Sequence, residues 1–125
     1  MHQHSGSSFI EILISLTLLS LILLSLDAMQ LTALREAKSS YYFSVAIEQL
    51  NNMIERLKII KSNQIHKEVL RWNQQNVMAL PQGKGNVRGT YPNFILNIFW
   101  GKTKEIDCDK NKIRQTGCLQ WLVKL

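Results

Sequence analysis

Two cysteines are the side chains in this sequence with the most distinctive chemistry. Cys108 and Cys118 have nine residues between them, and such a pair can form a disulfide, hold a metal ion or cycle between redox states. A metal site would need further Cys or His side chains nearby, and the nearest histidine in the sequence is His66. A redox pair usually has the spacing Cys-x-x-Cys. The spacing therefore favours one structural disulfide, as two cysteines in an exported domain typically form, and no metal site.

Positive charge is concentrated in the second half of the chain. Residues 1–62 carry five basic and five acidic side chains, whereas residues 63–125 carry ten and four and account for the whole net charge of +6. Five of the basic residues surround the cysteine pair: Lys102, Lys104, Lys110, Lys112 and Arg114. A patch of this kind can contact nucleic acid or another anionic surface. Because three acidic residues interrupt it and it contains no aromatic side chain for stacking, a solvated loop is the favoured interpretation.

Enzyme motifs are missing from the sequence. We find no Ser-His-Asp order, no paired-carboxylate motif and no phosphate-binding loop, since Gly83-Lys84-Gly85 lacks the required spacing. His66 has no evident partner in the sequence and is expected on the surface or at a helix end. The sequence therefore predicts neither an enzyme nor a bound cofactor.

An apolar segment near the N-terminus contains one carboxylate. Phe9 to Leu26 is eighteen residues interrupted only by Glu11, and as a helix it would be about 27 Å long, close to the thickness of a bilayer's hydrocarbon core. Its Ser and Thr hydroxyls can bond to carbonyls one turn earlier. A cleaved signal peptide is disfavoured because no Lys or Arg precedes the segment and no Ala-x-Ala site follows it. A retained membrane anchor is predicted, and a carboxylate in such a segment is a functional-site hypothesis, because inserting it costs about 2.5–3.5 kcal/mol at the helix centre.

The residues around Glu11 resemble a known N-terminal motif. Gly6-Ser7-Ser8-Phe9-Ile10-Glu11, followed by an apolar helix, resembles the N-terminus of the type IV prepilin family. The resemblance implies that Met1–Gly6 is a leader, that prepilin peptidase cuts between Gly6 and Ser7, and that Ser7 becomes the N-methylated terminus. Glu11 is then the fifth mature residue, which in this family is thought to pair with the N-terminal amine of a neighbouring subunit.

The residues that follow the apolar segment predict a long helix and resemble a smaller group within the prepilin family. No Gly or Pro occurs from Ser7 to Leu80, and Ala46, Leu50, Met53, Leu57 and Ile60 recur with helical spacing, opposite Glu48 and Glu55. This predicts one helix over about residues 8–61, amphipathic in its second half.

Residues 31–37, 41–46 and 53–58 resemble the PilV group of minor pilins, which modify type IV pili. The minor pseudopilins of type II secretion share the same size and anchor and remain an alternative.

The C-terminal half is predicted to be a small antiparallel sheet. Residues 81–86 predict a loop, residues 91–100 and 119–123 predict strands, and residues 86–90 predict a third strand. Phe94, Leu96, Ile98 and Trp100 are expected on one face. The fold class is therefore α+β: a long N-terminal helix, membrane-spanning in its first half and amphipathic in its second, packed on a sheet.

These expectations divide the chain into a leader (1–6), a membrane and assembly helix (7–34) and a head (35–125). The head comprises the amphipathic half-helix (35–62) and the sheet with its disulfide loop (63–125). The resemblance implies a minor pilin anchored in the bacterial inner membrane, with a periplasmic head that later enters the pilus fibre or its tip. Its expected partners are prepilin peptidase and other minor and major pilins. A basic-headed DNA-binding module of pilin type and an unrelated single-span exported protein are the other hypotheses.

Overall fold

The chain has the predicted α+β fold, with one long helix and a three-stranded antiparallel sheet. A computed structural model describes residues 5–101 and 117–125. Its elements are α1 (Ser5–Ile59), a 3₁₀ turn (Ser62–Gln64), α2 (Ile65–Ala79), β1 (Lys84–Thr90), β2 (Asn93–Phe99) and β3 (Cys118–Lys124). Tertiary contacts divide the chain into two compact units, Met1–Ser39 and Ser40–Leu125. We describe each unit by itself.

The first unit consists of the apolar part of α1. Every side chain described in it is exposed, and the helix is long and apolar enough to cross a membrane. Thr17, Ser20 and Ser25 donate their hydroxyl protons to the carbonyl oxygens four residues earlier, at 2.7–2.9 Å. These bonds, which the sequence predicts, satisfy the hydroxyl groups within the helix and leave its surface apolar.

The sheet has the strand order β1-β2-β3, so β2 is its central strand. Both pairings are antiparallel, and Leu96 lies between Val87 and Trp121. A two-residue turn with a cis peptide bond, Tyr91–Pro92, joins β1 to β2. The predicted strands are confirmed, and β1 begins two residues earlier than expected.

The core of the second unit forms where the amphipathic half of α1 packs on one face of the sheet. The predicted stripe on α1 is buried at Ala46, Leu50, Met53 and Leu57, while Glu48 and Glu55 are exposed, as expected. The sheet contributes Phe94, Leu96 and Ile98 from β2 and Leu119 from β3. Alternate residues of a strand point to the same face, which explains why the predicted set on β2 is buried together.

Two features of the second unit differ from the sequence-based expectations. Residues 65–79, to which no element was assigned, form the helix α2, and its Trp72 is fully buried in the core. The prediction of a loop over residues 81–86 is wrong for residues 84–86, which belong to β1. The physical reason for the second difference is that Gly85 packs against the indole ring of Trp72, so a glycine is required at this position of the strand.

Candidate functional site

The predicted processing and assembly residues lie in the first two turns of α1. Gly6, Ser7 and Glu11 are helical and exposed. Residues four apart lie on the same face of a helix, so Ser7 and Glu11 share a face. The fold thus places the predicted cleavage junction and the carboxylate next to each other.

Gly6 makes no side-chain packing contact among the residues that the structure describes. A Cβ atom added to it would meet no other atom within 4 Å, and its φ is not positive. Gly6 is the second residue of α1, and glycine has a lower intrinsic helix propensity than every residue except proline. The helix therefore gains nothing from a glycine at this position.

Glu11 is isolated on an apolar surface. Among residues 5–101 and 117–125 it makes no ion pair, and Asp27, the next acidic residue, lies about 24 Å further along the helix axis. The fifteen uncharged residues between them span about 22 Å, less than the roughly 30 Å of a hydrocarbon core. A helix that crosses a bilayer through this segment therefore keeps Glu11 or Asp27 near the edge of the hydrocarbon, where a carboxylate is a functional-site hypothesis.

The predicted disulfide and basic patch fall mostly outside the described residues. Cys118 is disulfide-bonded, 2% exposed and the first residue of β3, opposite Phe99. Its predicted partner Cys108 lies outside the described residues, so the pairing stays a prediction. The same holds for the whole of the predicted basic patch, which comprises Lys102, Lys104, Lys110, Lys112 and Arg114.

A polar cluster that sequence reasoning missed joins α1 to α2. Both oxygens of the Glu68 carboxylate are used, one by Arg56 of α1 at 3.5 Å and the other by Arg71 of α2 at 3.0 Å. Arg56 also donates to Oε1 of Gln75 at 2.9 Å. With the Glu68 side chain 18% exposed, the cluster fixes the approach of the two helices.

A second missed cluster joins α2 to both the sheet and α1. The Asn73 side chain accepts a hydrogen bond from the backbone N–H of Gly85 at 2.6 Å and donates one to the Gly85 carbonyl at 3.0 Å. The indole Nε1 of Trp72 donates to the carbonyl of Gln49 at 2.9 Å. Both contacts depend on how α2 packs on α1 and on the sheet, and no local pattern in the sequence indicates them.

Within residues 5–101 and 117–125, no group of three His, Cys, Asp or Glu side chains is placed to hold a metal ion. His66 is the second residue of α2 and is exposed, as the sequence predicts. No protein-family model, curated protein or solved structure matches the chain.

Proposed function

We propose that this chain is a minor type IV pilin, a structural subunit that primes or modifies pilus assembly after processing by prepilin peptidase. One observation carries the proposal. Glu11 is the single carboxylate within the exposed apolar residues 9–26 of α1, and it lies five residues after a glycine whose added Cβ would meet no described atom within 4 Å. Membrane insertion alone requires neither residue.

The glycine at position 6 supports proteolytic processing. The fold gives no reason for a glycine at this helical position. Recognition of this residue by a peptidase explains its presence better. A peptidase must hold an extended backbone at the bond it cuts, and glycine resists helix formation and presents no side chain. In this proposal prepilin peptidase cuts between Gly6 and Ser7 and leaves Ser7 as the N-terminus.

The isolated carboxylate supports assembly by charge pairing. In the proposed mechanism, the Glu11 carboxylate pairs with the N-terminal amine of a neighbouring subunit. Each charge alone is costly in a low-dielectric environment, and pairing them favours one register of assembly. The exposed apolar face of α1 holds the subunit in the inner membrane and is then buried against other pilin helices, with the head first in the periplasm and then in the fibre.

The narrower assignment, to the PilV group of minor pilins, rests on the second half of α1. Of the residues behind that resemblance, Ala46, Met53 and Leu57 are buried in the core of the head, and Tyr42 packs against that core. These residues therefore serve to pack the helix on the sheet. A secretion pseudopilin needs the same packing. The choice between pilus and pseudopilus thus depends on the resemblance in residues 31–58, not on a feature of the site.

The experiment that tests the proposal is to determine the mass and N-terminal sequence of the protein made with and without prepilin peptidase. We expect a mature chain that begins at N-methylated Ser7 only when the peptidase is present. Gly6→Trp should block this processing. A chain that is uncut in both hosts, or cut near Ala28, would overturn the proposal.

A further inference from the structure

One face of α1 in the first unit carries charges of opposite sign. Asp27 and Lys38 are eleven residues apart on this helix. Eleven residues make about three turns, so the two side chains project within about 20° of each other. Both are exposed. We call this surface the Asp27 face, and its residues follow at alternating spacings of four and three: Ser20, Leu24, Asp27, Leu31, Leu34 and Lys38.

The Asp27 face is distinct from the face of Glu11. Glu11 is sixteen residues before Asp27, and Glu36 is nine residues after it. Both therefore project about 160–180° away from Asp27, on the opposite side of α1. A helix that pairs with Glu11 packs on that opposite side and leaves the Asp27 face open to a different neighbour.

The cations of α1 are too far from Asp27 to pair with it in the same helix. Side chains on a helix pair with residues three or four positions away, and those four positions around Asp27 hold three leucines and one glutamine. The next cations, Arg35 and Lys38, lie about 12 and 16.5 Å further along the axis. Within residues 5–101 and 117–125, Asp27 makes no ion pair. A cation of α1 that pairs with Asp27 therefore belongs to another copy of the chain.

The charges of the Asp27 face select one register between two copies. Copies of one membrane anchor have the same orientation, so their helices are parallel. In register, Asp27 would face Asp27 and Lys38 would face Lys38, which is repulsive. A displacement of eleven residues, about 16.5 Å, sets Asp27 beside Lys38 of the next copy and keeps the same faces in contact. A displacement of eight residues would bring Arg35 to Asp27 but turn the faces apart by about 80°.

Packing is also complementary in the displaced register. Ser20 of one copy then lies opposite Leu31 of the other, so a small side chain meets a large one. The Ser20 hydroxyl donates to the Leu16 carbonyl at 2.8 Å and needs no partner from the second helix. Lys38 has an interaction of its own within the chain, but its ammonium group has three donors and can also bind a carboxylate.

We propose that copies of this chain pack in parallel through their Asp27 faces, displaced by about 16.5 Å, with Asp27 of one copy paired with Lys38 of the next. The contact joins different patches of the two copies, so each added copy offers a new Asp27 or Lys38, and the row continues without closing. In a bilayer all copies lie at one depth, so this contact rests on the proposed function, in which subunits leave the membrane during assembly.

Cross-linking of the full-length protein in detergent micelles, which impose no common depth, tests the register. One tagged copy carries Ser20→Cys and a differently tagged copy carries Leu31→Cys. Among the described residues no native cysteine is free, and a short bismaleimide joins only free thiols. We expect the mixed pair to cross-link more than either copy with itself. Helices in register would give the reverse order.

Charge reversal tests the pairing. Adding Asp27→Lys to the Ser20→Cys copy should lower the mixed cross-link roughly 2- to 5-fold or more, and adding Lys38→Asp to the Leu31→Cys copy should restore it. Glu36→Lys is the matched control for Asp27→Lys, because Glu36 is also exposed, undergoes the same change of charge and lies on the opposite face.

The proposal is overturned if cross-links of each copy with itself predominate, if Asp27→Lys and Glu36→Lys have equal effects, or if Lys38→Asp does not restore the yield. Processing at Ser7 is measured separately on the same protein. A correctly processed chain without the displaced cross-link would overturn this contact alone. An unprocessed chain that gives this cross-link would overturn the proposed function and leave the contact between copies standing.

Discussion

The indole ring of Trp72 occupies the space into which a side chain at residue 85 would project. A Cβ built on Gly85 would lie less than 3.0 Å from three atoms of the six-membered ring, which is closer than side chains in folded proteins approach one another. Trp72 is fully buried between α1 and the sheet. Because residue 85 of β1 has no side chain, α2 can place the large Trp72 ring in the core.

Gly85→Ala is expected to destabilise the head by about 1–3 kcal/mol, because the added methyl group overpacks the site against a rigid ring. Replacing a strand glycine by alanine normally stabilises by about 0.4–1 kcal/mol through the unfolded state, so the sign of the change is informative. Urea unfolding of the full-length chain in detergent, followed by tryptophan fluorescence, measures it. Gly6→Ala is the control, since a Cβ there meets nothing, and an unchanged or higher stability of Gly85→Ala would contradict the packing described.

A smaller residue at position 72 should partly rescue Gly85→Ala. Trp72→Phe alone loses the hydrogen bond to the Gln49 carbonyl and leaves a space, and it should therefore destabilise. In the double variant the alanine methyl group can use that space, so the two effects should not add. A double-mutant cycle in the same urea assay gives the coupling, which we expect to lie between about 0.5 and 3 kcal/mol for residues in direct contact. Additive effects would show that the two residues do not compete for space.

Asn73→Ala should destabilise the head by about 1–3 kcal/mol, since two hydrogen bonds of roughly 0.5–1.5 kcal/mol each are lost. Asn73→Asp should cost more, because it removes the donor to the Gly85 carbonyl and sets a carboxylate oxygen against that carbonyl. Unfolding in urea measures both changes, and hydrogen exchange at the Gly85 amide should become faster. The exposed neighbour Gln74 provides the control, Gln74→Ala, which should stay within about 0.5 kcal/mol. Equal changes in the free energy of unfolding for all three variants would contradict the bridging role of Asn73.

The sequence predicts α1 and the strands because their apolar residues repeat with the period of each element. The stripe from Ala46 to Leu57 and the alternation from Phe94 to Ile98 are both buried as expected. Burial in α2 also follows helical spacing, at Ile65, Val69, Trp72 and Asn76. One of these inward positions is polar, however, while three apolar residues of the helix, Leu70, Val77 and Met78, are exposed. Polarity therefore does not reveal which face of α2 is buried.

The sequence predicts the part of the candidate site that lies in one short segment of the chain. Gly6, Ser7 and Glu11 lie within six consecutive residues of one motif, so the sequence alone places them within about one and a half helical turns. The bridge from Asn73 to Gly85 joins residues twelve positions apart, and the pair Arg56–Glu68 also depends on how α2 turns back on α1. Contacts of this kind follow from tertiary packing, and no local pattern in the sequence indicates them.

Reduction of the disulfide at Cys118 should destabilise the head by about 2–3 kcal/mol, which is the value for closing a loop of this length. The expectation assumes pairing with Cys108, the only other cysteine in the chain. Urea unfolding with and without reductant measures the difference, and the variant Cys108→Ser/Cys118→Ser should resemble the reduced protein. If reductant leaves the midpoint of the wild-type chain unchanged, the disulfide does not constrain the unfolded head in this way.

Glu11→Gln should leave membrane insertion and head stability intact and impair assembly, because the proposed pairing needs the negative charge and not the shape of the side chain. Piliation and co-purification with other minor pilins are the measurements, made beside membrane fractionation and urea unfolding. Glu36→Gln is the matched control: it lies on the same helix and is also exposed, but beyond the apolar segment, so its charge is solvated and needs no partner. Equal assembly of both variants with the wild-type chain would remove the role proposed for Glu11, whereas a defect in Glu11→Gln alone would show that the isolated carboxylate acts at the helix–helix interface.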